Sequence, residues 1–376
     1  MKTGFLENIV YKSNVHSKSR KNMIVLMRLD ALGDFVLWLD AAKEYKKKYP
    51  KVKIVLICKN INEPLARTIP YFDYVIGIDL EKIKEDCKYF WSIYLKMKAL
   101  RGAYLVQSVY SRTNAMDFIA SMIPAYKKIS ISTDGVNMAG KTGISDWIYD
   151  SIVNISGVKE HELIKNARFL RKLGFHEFKA GLPELPEYSC RKETKIEGPY
   201  YVIVLGTSHY AKSWKVDGFC GVAQYIYEKY HMTCCMLGVE QDASLGRQFS
   251  TKCQNIPLKN LIGETTIPEY VQIIREAEFI VSGDTSAVHI AAAVKTKSII
   301  IGGGWHFKRF LPYQTESGGN QYFPTVVYQH MDCYGCDNKR ITACCKRDTA
   351  HLGKWSCILA VTPEMVIKRI EEMRQI

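Results

Sequence analysis

Short apolar runs alternate with amphipathic helical segments in the N-terminal half of this chain. Residues 23–27 form one such run, and apolar side chains then recur at helical spacing until Pro50. Similar runs follow at residues 54–58, 74–78 and 104–107. Fully apolar runs of this length are typical of parallel strands buried on both faces. The alternation therefore predicts an α/β domain with a doubly wound sheet.

The same alternation restarts in the C-terminal half, after a proline-containing stretch at residues 181–199 that resembles a linker. Because the pattern is the same in both halves, we expect a second doubly wound sheet there. Its predicted strands are residues 201–205, 232–237, 279–281 and 298–301.

Helix-start patterns support this division. A capping box begins a helix at Thr266, and Thr362 followed by proline begins a last helix. We therefore expect an N-terminal Rossmann-like domain at residues 1–185 and a second one at 195–360, facing each other across a cleft. The last helix would occupy residues 361–376.

Composition excludes several classes of protein. Of the 376 residues, 47% are apolar and 24% are charged, which is ordinary for a globular protein and unlike a disordered chain. No apolar run approaches the roughly 20 residues that span a bilayer, and the N-terminus lacks a signal-peptide pattern. We therefore expect a cytoplasmic protein, in which the twelve cysteines need not be paired.

The net charge of +14 is concentrated in the N-terminal half, where residues 1–190 contain 30 Lys and Arg against 20 Asp and Glu. Such an excess suits an anionic substrate or an anionic membrane surface, or it is simply a well-solvated surface. No RNA-binding or helix-turn-helix signature accompanies these lysines, so we expect no nucleic acid partner.

Residues just after the predicted strands carry the candidate chemistry, because ligands of doubly wound sheets bind at the carboxyl ends of the strands. Gly33 and Asp34 follow the first strand, and the Asp34 carboxylate is a candidate general base. The alternative is an aspartate that only caps the helix. The absence of a G-x-G-x-x-G pattern here argues against a dinucleotide site.

A second candidate follows the first strand of the C-terminal half. The turn at residues 206–214 contains small and hydroxyl residues together with Lys212. Backbone amides and a lysine ammonium suit a diphosphate. The alternative is a surface loop with an incidental lysine.

A third candidate is the turn at residues 282–286, which enters an alanine-rich helix. The amide groups around Thr285 and Ser286 would form an anion site at the helix N-terminus. The Asp284 carboxylate would repel phosphate, so it is better suited to accept hydrogen bonds from sugar hydroxyls. The alternative is that Asp284 only caps the helix. His289, one turn later, belongs either to this site or to the buried core.

Two signatures resemble those of a known family. Residues 28–34, RLDALGD, are similar to the N-terminal signature of glycosyltransferase family 9, the bacterial heptosyltransferases. Residues 260–269 and 281–293 resemble its C-terminal signature, in an ordered match over about residues 23–370. The resemblance implies a GT-B fold, in which the last helix crosses back to the N-terminal domain.

The resemblance also implies roles at the matching positions. Asp34 matches the catalytic base, and Lys212 matches a lysine that contacts the donor diphosphate. Glu240 falls near the position of a glutamate that holds the nucleotide ribose. The loop for the donor sugar and phosphate is matched by Asp284, Thr285 and His289.

Two departures from the family pattern touch the donor pocket. Residues 302–313 replace a frequent Phe-Gly-Pro-Thr, and Ser286-Ala287 replaces a common Gly-Pro. Both leave the identity of the sugar and of the nucleotide open.

The segment at residues 331–357 contains five of the cysteines in a spacing that suits a tetrahedral zinc or iron site. Four thiolates suffice, so one of the two adjacent cysteines would be spare. The alternative is reduced thiols, or a disulfide formed after lysis. The pattern is similar to that of the autotransporter heptosyltransferases, a protein-modifying branch of the family with a cysteine-ligated iron finger, which implies a structural metal. The candidate ligands are Cys333, Cys336, Cys344, Cys345 and Cys357.

These features together predict an inverting glycosyltransferase that transfers a heptose from ADP-heptose to a lipopolysaccharide-core-type acceptor. No cofactor would be required, because Lys212 and backbone amides neutralise the leaving diphosphate. The basic N-terminal half would face an anionic glycolipid through peripheral contact at the inner face of the inner membrane. The alternatives are a protein hydroxyl as acceptor, a sugar-nucleotide isomerase on the same fold, and a catalytically silent nucleotide-sugar binder.

Overall fold

The chain divides into two compact units. The first unit comprises residues 1–158 and 164–180, and the second comprises residues 159–163 and 181–376. The predicted boundaries at 185 and 195 remain a prediction. The structure, a computed structural model, describes residues 16–138, 146–155, 160–305, 307–331, 333–335 and 355–375.

Six strands of the first unit form one parallel sheet: β1 (Met23–Arg28), β2 (Lys53–Lys59), β3 (Tyr74–Ile78), β4 (Tyr104–Gln107), β5 (Lys127–Ile131) and β6 (Ser151–Val153). Their order across the sheet is β3-β2-β1-β4-β5-β6. The helices are α1 (Leu32–Lys48), α2 (Glu63–Ala66), α3 (Lys82–Glu85), α4 (Cys87–Ala99), α5 (Asn114–Met122) and α6 (Glu162–Lys172).

The central strand β1 explains why this sheet is predictable. It pairs in parallel with β2 and β4, so both of its edges are covered. Val25, Leu26 and Met27 are at most 1% exposed, because helices cover both faces. Such burial demands apolar side chains at consecutive positions, which is the run seen in the sequence.

The second unit repeats this arrangement. Its strands are β7 (Tyr200–Val204), β8 (Thr233–Leu237), β9 (Leu258–Asn260), β10 (Phe279–Gly283), β11 (Lys297–Ile301) and β12 (Thr325–Val327). The order β12-β11-β10-β7-β8-β9 is that of the first sheet, read from the opposite edge. The predicted α/β class with two doubly wound parallel sheets is therefore confirmed. The helices are α7 (Val216–Tyr230), α8 (Ala243–Lys252), α9 (Ile267–Glu276), α10 (Ser286–Ala293), α11 (Ser356–Leu359) and α12 (Pro363–Arg374).

The predicted capping box of α9 is present. The Thr266 hydroxyl accepts a hydrogen bond from the Glu269 amide, and the Glu269 carboxylate accepts one from the Thr266 amide. Arg191 adds a charged pair at 2.6 Å, which holds the pKa of Glu269 well below its usual range. These contacts fix the start of α9.

The last helix, α12, begins as predicted, with Thr362 as its N-cap and Pro363 at the first helical position. Its apolar face lies in the hydrophobic core of the second unit. The resemblance implied that this helix crosses back to the N-terminal domain, and that expectation stays a prediction. The buried residues of α12 are Val366, Ile370 and Met373.

Within the described ranges, the structure contains no helix that is long and apolar enough to cross a membrane.

Candidate active site

The carboxyl end of β1 is organised around a fully buried arginine. Arg28 donates hydrogen bonds to the carbonyl oxygens of Ser108 at 2.7 Å and of Asp34 at 3.2 Å, and it pairs with Asp30 at 2.8 Å. The first acceptor follows β4 and the second lies in α1. The arginine therefore joins the neighbouring strand to the turn that follows β1.

Asp34 lies in the first turn of α1, three residues after its N-cap, Ala31. The alternative that Asp34 caps the helix is therefore wrong, since the helix begins before it. Asp34 is half-buried, and its carbonyl is held by Arg28. The N-terminal turn of a helix favours a negative charge. The structure thus places Asp34 at the carboxyl edge of the first sheet, on a turn whose backbone is held by Arg28.

In the second unit, Lys212 ends a short 3₁₀ turn after β7 and is 7% exposed. Its Nζ lies 4.2 Å from the centre of the Trp305 ring, a cation–π contact. The His209 ring accepts from the Ala211 amide, and the Trp355 amide donates to the Ala211 carbonyl at 3.1 Å. Lys212 is therefore held in place and does not lie on a mobile surface loop.

The turns after β7 and β10 lie against each other. A Cβ atom on Gly283 would lie 2.9 Å from the methyl group of Thr207, so only glycine permits this approach. The Thr207 hydroxyl donates to the His209 carbonyl at 2.9 Å and lies 3.0 Å from the Ser213 hydroxyl. The lysine-bearing turn and the predicted sugar loop thus share one edge of the second sheet.

Thr285 is the N-cap of α10, with its hydroxyl accepting from the Ala287 amide and lying 3.0 Å from the Ser282 hydroxyl. Asp284 therefore does not cap this helix, and that alternative is wrong. Asp284 and Ser286 are both half-buried. The remaining amides of the first turn lack acceptors within the helix, which makes this end of α10 suited to an anion.

His289 is only 4% exposed, and its Nδ1 hydrogen-bonds the Tyr313 hydroxyl. Burial lowers the pKa of His289 to about 4, against an opposing effect of Asp284. At neutral pH the ring is therefore neutral and adds no positive charge to a phosphate site. This geometry favours the buried structural role; a contact with the donor stays a prediction.

Glu240 is exposed in the turn after β8, with its carboxylate over Gly263. The sequence did not single out its neighbour Asp242, whose carboxylate lies against Gly206 and Gly238. Asp242 accepts from the Val239 amide, and burial raises its pKa. The sequence signal that could have identified Asp242 was a glycine close after each of two adjacent strands, Gly206 after β7 and Gly238 after β8.

The cysteine segment is described only in part. Cys333 is half-buried and Cys357 is buried. Burial raises the pKa of Tyr334, with smaller contributions from Cys357 and Cys333. Among the described residues there is no group of three or more potential metal ligands. The other predicted ligands, Cys336, Cys344 and Cys345, lie outside the described residues.

The structure thus brings most of the predicted donor residues together in the second unit. Lys212, Glu240 and Asp284 follow β7, β8 and β10, and these strands are neighbours in the order β10-β7-β8. Asp34 lies at the corresponding edge of the first sheet. The assignment of these residues to one reaction is a prediction.

Comparisons with known proteins show what this chain is similar to. Residues 168–325 match the family model of glycosyltransferase family 9 (heptosyltransferase). The chain is 24% identical to lipopolysaccharide heptosyltransferase 3 of Escherichia coli K12 over 316 residues, which is 78% of this chain and 87% of that protein.

Two solved structures show the fold. A glycosyltransferase family 9 protein from Veillonella parvula superposes with a TM-score of 0.74 at 13% identity, covering 95% of this chain and 99% of that one. The iron-containing dodecameric heptosyltransferase TibC of enterotoxigenic E. coli H10407, in complex with ADP-D-β-D-heptose, superposes with a TM-score of 0.54 at 14% identity, covering 96% and 79%. The predicted GT-B class is thereby confirmed. The similarity to glycosyltransferase family 9 over residues 168–325, and to a lipopolysaccharide heptosyltransferase along most of the chain, indicates a glycosyltransferase.

Proposed function

We propose that this protein transfers a heptosyl residue from ADP-heptose to a hydroxyl group of a lipopolysaccharide-core-type acceptor, with inversion at the anomeric carbon. One observation carries the proposal. A lysine, a helix N-terminus and a carboxylate follow three adjacent strands of the second unit, as a nucleotide diphosphate sugar requires. The relative from E. coli, a lipopolysaccharide heptosyltransferase aligned over most of its length, supports heptose as the sugar.

In this proposal Asp34 is the catalytic base. It accepts the proton of the acceptor hydroxyl as that oxygen attacks the anomeric carbon and the bond to the diphosphate breaks. Its role needs a fixed position more than a shifted pKa, and the hydrogen bond from Arg28 to its carbonyl supplies that position.

The second unit would stabilise the leaving diphosphate. Lys212 and the amides of the first turn of α10, around Thr285 and Ser286, face the negative charge that develops as the glycosidic bond breaks. Asp284 would accept hydrogen bonds from sugar hydroxyls, and Glu240, exposed after β8, would accept from the ribose. No metal ion is needed for this step, because the lysine and the backbone dipoles neutralise the charge.

The acceptor and location follow from the charge pattern. The excess of Lys and Arg in residues 1–190 suits a phosphorylated, lipid-linked acceptor. We therefore propose a cytoplasmic enzyme that contacts the inner face of the inner membrane peripherally.

The cysteine segment would hold a structural zinc or iron ion. Cys333 and Cys357 both act electrostatically on Tyr334, and thiolates are ligands that zinc and iron accept. An ion there would stabilise a segment with few apolar residues. Metal content measured on the purified chain tests this, and a Cys333→Ser variant that retains all of its metal would contradict it.

A donor and acceptor panel tests the transfer. Purified protein is incubated with ADP-heptose and either a lipopolysaccharide-core acceptor or a polypeptide acceptor, and ADP release and acceptor mass are followed. We expect ADP release coupled to a heptose mass increase on the core acceptor, with an inverted anomer by NMR. Transfer to the polypeptide alone would show that the acceptor is a protein and not a lipopolysaccharide core. An epimerised donor without acceptor would indicate an isomerase, and donor binding without turnover would indicate a silent binder.

A further inference from the structure

A second cavity lies in the first unit, at the opposite edge of the sheet from Asp34. It has a volume of about 290 Å³ and opens between the start of β1 and the end of α1. β1 separates it from the carboxyl edge by about 16 Å, at about 3.3 Å per residue. The cavity is therefore separate from the residues assigned to transfer.

The floor of the cavity is apolar. Ile24, Val106 and Ile129 come from three adjacent strands, and Leu173 follows α6. The wall is aromatic, since the rings of Tyr45 and Phe175 lie 5.1 Å apart. An engineered apolar cavity of about 150 Å³ already binds benzene, so this volume suits a short alkyl chain.

Tyr45 places a hydroxyl group in this apolar wall. The residue is 4% exposed and lines the cavity. Its hydroxyl can donate or accept a hydrogen bond, so it can contact a polar ligand atom.

The mouth of the cavity is cationic. Arg20 and Lys21 line it, and both side chains are exposed. None of the lining residues, all of which are described, is Asp or Glu. The charges at the mouth therefore complement an anionic head group.

We propose that this cavity binds a single-chain amphipathic anion, with the alkyl chain on the apolar floor and the acidic head group against Arg20 and Lys21. The proposal rests on the cavity, the Tyr45 hydroxyl and the cationic mouth, and does not depend on the proposed transfer reaction.

Calorimetry on the full chain tests the proposal with octyl phosphate, octyl glucoside and inorganic phosphate. We expect octyl phosphate to bind about tenfold more tightly than either of the others, since only it combines chain and charge. Its affinity should fall as salt increases. Equal binding of octyl phosphate and octyl glucoside, or no binding of octyl phosphate, would overturn the proposal.

Two variants locate the site. The double variant Arg20→Gln/Lys21→Gln should weaken octyl phosphate about tenfold, whereas the matched double variant Lys88→Gln/Lys96→Gln, on exposed positions of α4, should leave it unchanged. Tyr45→Phe should weaken the binding of octyl phosphate and leave that of an alkyl chain without a polar head unchanged, because it removes the one hydroxyl group of the aromatic pair Tyr45 and Phe175. An equal loss of octyl phosphate affinity in both double variants would show that the ligand does not bind at this cavity.

Vesicles separate a free amphiphile from a bilayer. If the Arg20→Gln/Lys21→Gln variant loses binding to phosphatidylglycerol vesicles but keeps its affinity for octyl phosphate, the basic residues recognise a membrane surface and the cavity proposal is wrong. Loss of octyl phosphate binding with vesicle binding retained would support the cavity.

Discussion

The two units share one strand order but use a cation differently at the carboxyl edge of the sheet. In the first unit Arg28 is fully buried and donates to the carbonyl oxygens of Ser108 and Asp34. In the second unit Lys212 is 7% exposed and contacts the face of Trp305. The first cation organises protein backbone, and the second contacts an aromatic face, from which we propose that an anion displaces it.

This difference follows from the chemistry of the two side chains. A guanidinium has five donors in a rigid fork, and several carbonyl acceptors can fix it within a fold. A cation–π contact contributes about 0.5–2 kcal/mol, which is little enough to be exchanged for a diphosphate. Substitutions should therefore reduce stability in the first case and ligand affinity in the second.

The largest effect is expected at Asp34. Asp34→Asn keeps the size of the side chain and removes the base, so kcat should fall by about 10³–10⁴-fold. Donor affinity, measured by calorimetry, should be unchanged, because the donor residues lie in the second unit. The control is Glu44→Gln, further along the same helix. A parallel loss of donor affinity would show that Asp34 is not simply the base.

Arg28→Met tests the structural cation. It leaves Asp30 and two buried carbonyls without their partner, so the free energy of unfolding should fall by about 3–5 kcal/mol. Urea denaturation measures this loss. Arg67→Met, at an exposed ion pair with Glu63, should cost less than about 1 kcal/mol. If Arg28→Met and Arg67→Met lowered the free energy of unfolding by the same small amount, Arg28 would not organise the carboxyl edge of the first sheet.

Lys212→Met tests the second cation. Losing a charge-assisted contact with the diphosphate should weaken donor binding by about 10–100-fold, and the free energy of unfolding should change little. Lys215→Met, at the exposed N-cap of α7, is the control for nonspecific charge. If Lys212→Met lowered the free energy of unfolding as much as Arg28→Met does, both cations would be structural and the proposed contrast between the two units would be wrong.

The pH dependence of stability sharpens the second unit further. The pKa of His289 is about 4 in the folded chain and about 6.5 when unfolded, so the unfolded state takes up its proton first as pH falls. Stability from this group is complete above pH 6.5 and should fall by about 2 kcal/mol between pH 6.5 and 5. The urea midpoint, measured as a function of pH over this range, should no longer fall in His289→Gln. It should still fall in His176→Gln, which changes an exposed histidine and is the control. An unchanged slope in His289→Gln would contradict the assignment.

The central strands were predictable because burial on both faces demands continuous apolar runs. The edge strands β6, β9 and β12 have three residues each, too few to make a pattern. Strand β5 was hidden by Lys127 and Lys128, and Lys128 is fully buried, with burial lowering its pKa to about 7. Pairing with β4 and β6 makes this segment a strand although its sequence pattern does not indicate one.

The candidate site was predictable where chemistry follows a strand directly. Asp34, Lys212 and Asp284 were found in this way. A cap at Asp34 places the start of α1 three residues too late, and a cap at Asp284 places the start of α10 one residue too early, so both capping alternatives were wrong. Asp242 was missed because the glycines at 206 and 238 point to it only once the fold places Gly206 against its carboxylate.

The aromatic stack around Lys212 has an optical consequence. Trp305 lies 4.5 Å from Trp355 in a stacked arrangement, and the Lys212 ammonium lies over the Trp305 face. An ammonium that leaves the ring to meet a diphosphate changes the field on the indole and thereby its emission. The chain thus carries a built-in fluorophore beside its proposed donor pocket, through which occupancy can be followed without a label.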